Sequence, residues 1–253
     1  MAYIIFDMDD TLLNDQRCIT PYTLQTLKKL QSMGHKLVIN TARSKQFNQE
    51  FFDQLHPDYA ILNGGALIID HEERTVYQAQ LDAPATQAFI DDLLQFSDNF
   101  TVQAATGPYS HLGKYTGQNA QPFDFCAQPF PYPCLKIVAS IADDQAAFAL
   151  ADNHHLTCVS YFGGIFKRFN HPDATKAKGN RKLMELLGGD LSQVIAFGDD
   201  WGDLEMLQQA GLGVLMKNAR PELRQHGLQQ SEYTNDQDGV AHFLARHFGL
   251  ESS

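Results

Sequence analysis

The chain has 253 residues, 43% of them apolar and 11% aromatic, which allows one large folded domain or two smaller ones and excludes a disordered or collagen-like chain. Its 19 Lys and Arg face 30 Asp and Glu, a net charge of −11. That sign opposes partnership with nucleic acid, where basic side chains must displace counterions, and with an anionic membrane surface. No apolar stretch approaches the ~20 residues of a membrane span. The opening residues lack the basic start and cleavage site of a signal peptide. The four cysteines, Cys18, Cys126, Cys134 and Cys158, form no C-x-x-C pair. A cytoplasmic protein with reduced thiols is the simplest expectation.

Tyr3–Phe6 is a short apolar run ending in acids and reads as a buried strand. Thr20-Pro21 offers an N-cap and an N1 proline to a helix whose Leu24, Leu27, Leu30 and Met33 recur at helical spacing until Gly34. Lys36–Asn40 is a second strand, residues 44–55 a second amphipathic helix, and Tyr59–Leu62 a third strand closed by Asn63-Gly64-Gly65. This alternation predicts βαβ units and a parallel sheet. The rhythm then breaks. Residues 66–69 and 74–77 read as a hairpin, 84–96 as a helix and Phe100–Ala104 as a strand, while 105–133 carry little periodicity. A strand over 135–140, a helix over 143–153 and a hairpin over 156–162 and 165–169 follow. The α/β rhythm resumes with a helix over 178–187, a strand over 194–197, a short helix over 203–210, a strand over 213–216 and a terminal helix over 240–248. The expected fold is α/β: a Rossmann-like parallel-sheet core, residues 1–65 and 173–253, split by an inserted α+β domain over 66–172 with an antiparallel sheet.

Chemistry concentrates at strand ends. Asp7 and Asp9 are two residues apart after the first strand, a spacing that lets both face one site at its C-terminal end, where open α/β sheets bind ligands. Acids there also cap helices or face solvent. A calcium loop of the EF-hand type is ruled out, since its sixth and twelfth positions fall on Leu12 and Cys18 instead of Gly and Glu. A second acidic cluster, Gly198-Asp199-Asp200-Trp201-Gly202-Asp203, follows another apolar strand. Two such clusters can share one hard cation, and magnesium takes one or two carboxylates, waters and a phosphate oxygen. Asn40-Thr41-Ala42-Arg43 follows the second strand; a hydroxyl and free N–H groups at a helix start make an anion site, although Thr41 can equally serve as a cap. Lys178, ahead of the second cluster, offers a positive charge to offset carboxylates and phosphate.

FDMDDTLL, NTAR, the lysine of AKGN and FGDDWGD, in that order, resemble the motifs of the haloacid dehalogenase superfamily of phosphotransferases. The insert between the second and third motifs is similar to the large C2-type cap of its Cof-type phosphatases. The resemblance implies that Asp7 is a nucleophile forming an aspartyl-phosphate and that Asp9 is the general acid and base. It implies Mg2+ held by Asp7, the main-chain carbonyl of Asp9, and Asp199, with Asp203 in the outer shell. It assigns Thr41 and the Ala42 N–H to phosphoryl oxygens and Lys178 to charge neutralisation. The cap would close over the site and select the substrate. Two positions depart from the pattern: Ala42 replaces a glycine, and Gly202 replaces an asparagine, removing a polar contact. Met8, where the superfamily's cation pumps carry lysine, and the second acid Asp9, absent from dehalogenases, both favour a phosphatase. The implied function is Mg-dependent hydrolysis of a small phosphorylated metabolite. A phosphomannomutase-like enzyme and a non-catalytic phosphometabolite sensor are the alternatives.

Overall fold

A computed structural model describes residues 1–114, 119–161 and 164–250. The expected hairpin over 156–162 and 165–169 reaches into the gap at 162–163, and part of the aperiodic stretch, 115–118, lies outside the described residues. In chain order the elements are β1 (Tyr3–Phe6), α1 (Pro21–Ser32), β2 (Lys36–Asn40), α2 (Gln49–Leu55), β3 (Tyr59–Leu62), β4 (Leu67–Asp70), β5 (Thr75–Gln78), α3 (Ala83–Leu93), β6 (Phe100–Ala104), β7 (Gly107–His111), β8 (Gln121–Phe123), β9 (Cys134–Ser140), α4 (Asp144–Asn153), β10 (Thr157–Tyr161), β11 (Phe166–Asn170), α5 (Lys176–Leu186), β12 (Val194–Gly198), α6 (Trp201–Gln209), β13 (Leu212–Leu215), β14 (Gln229–Gln230) and α7 (Gly239–His247). Among the described residues no helix is long and apolar enough to cross a membrane.

The contacts divide the chain into two compact units, residues 1–77 with 175–253, and residues 78–174. The first is built on an eight-stranded sheet in the order β14-β13-β12-β1-β2-β3-β4-β5. From β14 to β3 every pairing is parallel, and β4 then runs antiparallel to β3. The central strands are near-continuous apolar runs because both their faces are covered: Ile4, Ile5, Phe6, Val38, Ile39, Ala196 and Phe197 are all fully buried. The chain proceeds from β1 toward β3 on one side and from β12 toward β13 on the other. The sheet's direction of growth therefore reverses between β1 and β12, where open α/β sheets hold their ligands.

The hairpin expected to open the insert instead extends this sheet. β4 pairs with β3 from Tyr59↔Asp70 to Leu62↔Leu67, and the buried Ile68 joins the core of the first unit. The positive φ of Asn63, Gly64 and Gly65 reverses the chain tightly enough for that return. The insert accordingly begins at Gln78, not at residue 66. The expected helix over 44–55 is also shorter. Residues 45–47 form one tight turn, and α2 starts only at Gln49 with Asn48 as its cap.

The second unit is a six-stranded sheet, β10-β11-β9-β6-β7-β8. It is antiparallel except for β7 and β8, which pair in parallel. One face is apolar: Phe100, Val102, Ile137, Ala139 and Phe169 pack with Phe89, Ile90 and Leu93 of α3 and Ala147, Leu150 and Ala151 of α4. β7 and β8 fall in the stretch without periodicity, because Pro, Gly and Ser interrupt the alternation that betrays a strand.

Candidate active site

Three acids reach one place at the C-terminal edge of the central strands. Phe6 of β1 stands in register with Phe197 of β12, and the Asp7 N–H donates to the Phe197 carbonyl at 3.1 Å. The chain beyond β1 is extended at Asp7 and at Asp9 but left-handed at Asp10. On the neighbouring strand Gly198 ends β12, and Asp199 follows at the same level. Carboxylate oxygens of Asp7, Asp199 and Asp203 lie within 4.8 Å of one another.

Asp203 is the most tightly held of the three. Its Oδ2 accepts from the Asp199 and Asp200 N–H groups, both at 3.1 Å, closing the first turn of α6. Its Oδ1 accepts from Lys176 Nζ at 2.5 Å. Gly198 makes this fold-back possible, since a Cβ there would overlap the Asp203 side chain. Asp199 is steadied by Thr11, whose hydroxyl donates to Oδ1 at 2.8 Å.

The positive charge at the cluster is Lys176, which pairs with Asp7 at 2.8 Å and Asp203 at 2.5 Å while only 9% exposed. The lysine expected here was Lys178. Thr175 is the N-cap of α5, its hydroxyl accepting from the Lys178 N–H, so Lys176 is the first helical residue. Two residues onward the helix has turned about 200°, and Lys178 is half-buried there. Asn40, at the end of β2, fixes Lys176 from behind. Its Nδ2 donates to the Lys176 carbonyl at 3.0 Å and to Asn180 Oδ1 at 2.7 Å. Gly65 and Gly179 let the first turn of α5 settle onto β3: a Cβ at Gly65 would overlap the Thr175 main chain, and one at Gly179 would come within 2.6 Å of Ile61.

Asp9 is not one of the three clustered acids, although the Lys176 charge reaches it too. The expectation that Asp7 and Asp9 share a face assumed a strand through both, but β1 stops at Phe6. The Asp9 carboxylate is instead gripped by Arg43, with Nε to Oδ2 at 2.8 Å and Nη2 to Oδ1 at 2.5 Å, and Arg17 pairs with the same Oδ1. Arg43 belongs to the NTAR segment. Arg17 was not singled out in the sequence, and no spacing pointed to it: it sits in a loop with a left-handed φ of 62°.

The Thr41–Ala42 segment is a loop, not a helix start. Thr41 is buried, and its hydroxyl accepts from the Arg43 N–H at 3.2 Å. Gly202 faces open space, so the position of the missing asparagine is vacant of any obstruction. Asp200 caps α6 and pairs with Arg220 at 2.5 Å, and Asn218 braces two loops by donating to the Asp10 carbonyl at 2.7 Å.

The electrostatics disclose an excess of negative charge. Burial pushes Asp7 up to about 7, with the Asp203 charge adding to burial and Lys176 opposing it. Burial and the charges of Asp203 and Asp7 push Asp199 up to about 8. Burial alone would lower Lys176, but Asp203 and Asp7 outweigh it and raise the amine above its usual range. Burial would likewise raise Asp9, yet the hydrogen bonds and charge of Arg43, with Arg17 behind it, hold it below the ordinary carboxylate value. Asp7 and Asp199 hold protons near neutral pH because the clustered carboxylate charge is incompletely balanced by the Lys176 amine. A small divalent cation matches that deficit, and an all-oxygen donor set suits magnesium.

A profile of the haloacid dehalogenase-like hydrolases matches residues 4–244. The chain belongs to that family. It is 25% identical to the 5-amino-6-(5-phospho-D-ribitylamino)uracil phosphatase YitU of Bacillus subtilis, over 98% of this chain and 97% of the relative. It is 27% identical to the pyridoxal phosphate phosphatase YbhA of Escherichia coli, over 96% and 97%. Its fold is similar to that of a haloacid dehalogenase-like hydrolase from Bacteroides thetaiotaomicron, with a TM-score of 0.82 at 22% identity over 98% of this chain and 99% of the other. The haloacid dehalogenase-like hydrolase described here thus resembles, along its whole length, phosphatases named for small phosphorylated compounds.

Proposed function

We propose that this hydrolase is a magnesium-dependent phosphatase of small phosphorylated metabolites that works through an aspartyl-phosphate on Asp7. The observation that carries this reading is the meeting of Asp7, Asp199 and Asp203 around the buried amine of Lys176. The relatives' substrates, pyridoxal phosphate and a phosphorylated ribitylaminouracil, set the scale of molecule to test first.

Asp7 attacks the phosphorus while the ester oxygen departs, so one hard displacement becomes two easier ones. Lys176 opposes the burial that raises Asp7 and so favours its ionised, nucleophilic form. Asp7 and Asp199 would hold magnesium, with Asp203 fixing the loop that presents Asp199; the bound ion supplies charge neutralisation to the phosphoryl oxygens. Asp9 protonates the leaving oxygen and afterwards takes a proton from the water that hydrolyses the aspartyl-phosphate. The arginine grip favours its ionised form, the one needed in the second step. In the first step Asp9 must carry a proton, so the grip has to loosen when substrate enters. Thr41 and Ala42 are assigned to the phosphoryl oxygens from their place beside the acids' strand.

The test is phosphate release from a panel that includes both relatives' substrates, with magnesium and after chelation. Turnover is expected only with the ion. Asp7→Asn should abolish it while urea unfolding remains cooperative, and release of phosphate by that variant at the wild-type rate removes Asp7 as nucleophile.

A further inference from the structure

We propose that His111, Asp124 and Cys126, all within the inserted unit, form a site for a zinc-class transition metal, separate from the acidic cluster and independent of the phosphatase reading. A ring nitrogen of His111, a carboxylate oxygen of Asp124 and the Cys126 sulfur lie within 4.8 Å of one another.

The topology creates the cluster. β7 and β8 pair in parallel with His111 opposite Phe123, so the chain leaving β8 passes directly beside His111. In the next three residues, Asp124-Phe125-Cys126, Phe125 turns inward and is buried against Phe100, Phe123 and Phe130. Asp124 and Cys126 flank it at the surface, half-buried and exposed respectively. The N–H groups of Cys126 and Ala127 donate to one oxygen of Asp124, at 3.0 and 3.1 Å.

His111 is the second, independent observation. It is only 4% exposed and stacked on Phe100 at 5.4 Å between ring centres, and among the described residues its Nδ1 has no hydrogen-bond partner. A buried polar group without a partner costs free energy that a ligand recovers. The donors are one nitrogen, one oxygen and one sulfur, the mixture that zinc and cobalt accept and that magnesium does not favour. Zinc bonds of about 2.0–2.3 Å in a tetrahedron require donors roughly 3.5 Å apart. The contraction needed, at most about 1.3 Å, falls on Asp124 and Cys126, whose side chains have surface room to turn. Binding takes the thiol proton from Cys126 to solvent and leaves a fourth position for water. Two other charges face this region: Asp98, on which His111 acts, and Lys114, with which Asp98 pairs.

The experiment uses the full chain and two probes, Co2+ and Zn2+, with wild type, Cys126→Ser, Asp124→Asn and Asp199→Asn. Cobalt bound through Cys126 gives a near-ultraviolet thiolate-to-metal absorption that the all-carboxylate cluster cannot produce. That band is expected in wild type and Asp199→Asn, lost in Cys126→Ser and at least ten-fold harder to saturate in Asp124→Asn. One equivalent of zinc should protect Cys126, mapped by mass spectrometry, from alkylation. Absence of the band, its persistence in Cys126→Ser, or zinc binding removed by Asp199→Asn alone would each overturn the proposal. Both surface variants leave His111 and the apolar core intact, so loss of the band in them is not loss of the fold.

Discussion

Replacing Lys176 by methionine removes the amine that pairs with Asp7 and Asp203 and keeps most of its volume. Unpairing the buried Asp203 is worth about 3–5 kcal/mol. Asp7 adds a part that depends on pH. Its folded value is raised to about 7, so the stability linked to its proton is fully present below the ordinary value of 3.8 and is lost as pH rises through 7. At about pH 5 Asp7 already carries that proton in the wild type, and losing the amine costs it nothing. Above 7 the wild type ionises Asp7 beside Lys176. The variant must keep it protonated, at about 1.4 kcal/mol per pH unit. The difference in stability between wild type and Lys176→Met should therefore widen by about 1.4 kcal/mol near pH 8 and about 2.8 kcal/mol near pH 9. Urea unfolding of both proteins without metal, from roughly pH 5 to pH 9, measures this directly. Lys178→Met is the control, with an expected loss below about 1 kcal/mol at every pH. A difference that stays flat with pH, or a Lys178→Met loss equal to that of Lys176→Met, would refute the assignment of the amine to Lys176.

Magnesium binding should release protons near neutral pH, because Asp7 and Asp199 are raised to about 7 and 8 without the ion. Affinity should weaken by up to about ten-fold per pH unit for each proton released as pH falls through that range, and calorimetry in buffers of different ionisation heat reads the proton count; pH-independent binding contradicts the charge deficit. Arg17→Met should loosen the hold on Asp9 and move the alkaline limb of kcat upward by less than about one pH unit, the value of an exposed ion pair; an unmoved limb excludes the arginine from control of the proton. Gly198→Ala should displace Asp203 and weaken magnesium binding while leaving the insert's thermal unfolding unchanged, and wild-type metal affinity in that variant would show that Asp203 does not position the cluster.

Much of this site was legible before any coordinates. Short apolar strands running into Asp7 and Asp199 are a local signal, and the parallel order that brings their ends together follows from βαβ rhythm. The errors came where geometry turns on one or two residues. Lys176 and Lys178 both fall in the first turn of α5 and differ by about 200° in the direction they face, and Thr175 as the helix cap is the sign that sets which is first. The strand geometry that suggests a shared face for Asp7 and Asp9 does not apply, because the strand ends one residue ahead of its acids. Arg17 reaches Asp9 from a left-handed loop position, a tertiary fact with no periodicity behind it. The hairpin after Gly65 looked like the start of something new, yet sheet edges recruit any amphipathic strand that can pair.

The close fit of Gly65 against Thr175 has a consequence for modularity. The chain departs at residue 65 and is back at the same spot at residue 175, more than a hundred residues later, so the excursion between them begins and ends at one point of the scaffold. Closing a loop whose ends already touch costs little more when the loop grows. The acid-bearing strands can thus tolerate exchange of residues 78–174 within that excursion for a larger, smaller or unrelated segment, and a chimera that keeps β4 and β5 with the sheet they extend should retain the scaffold's own unfolding transition.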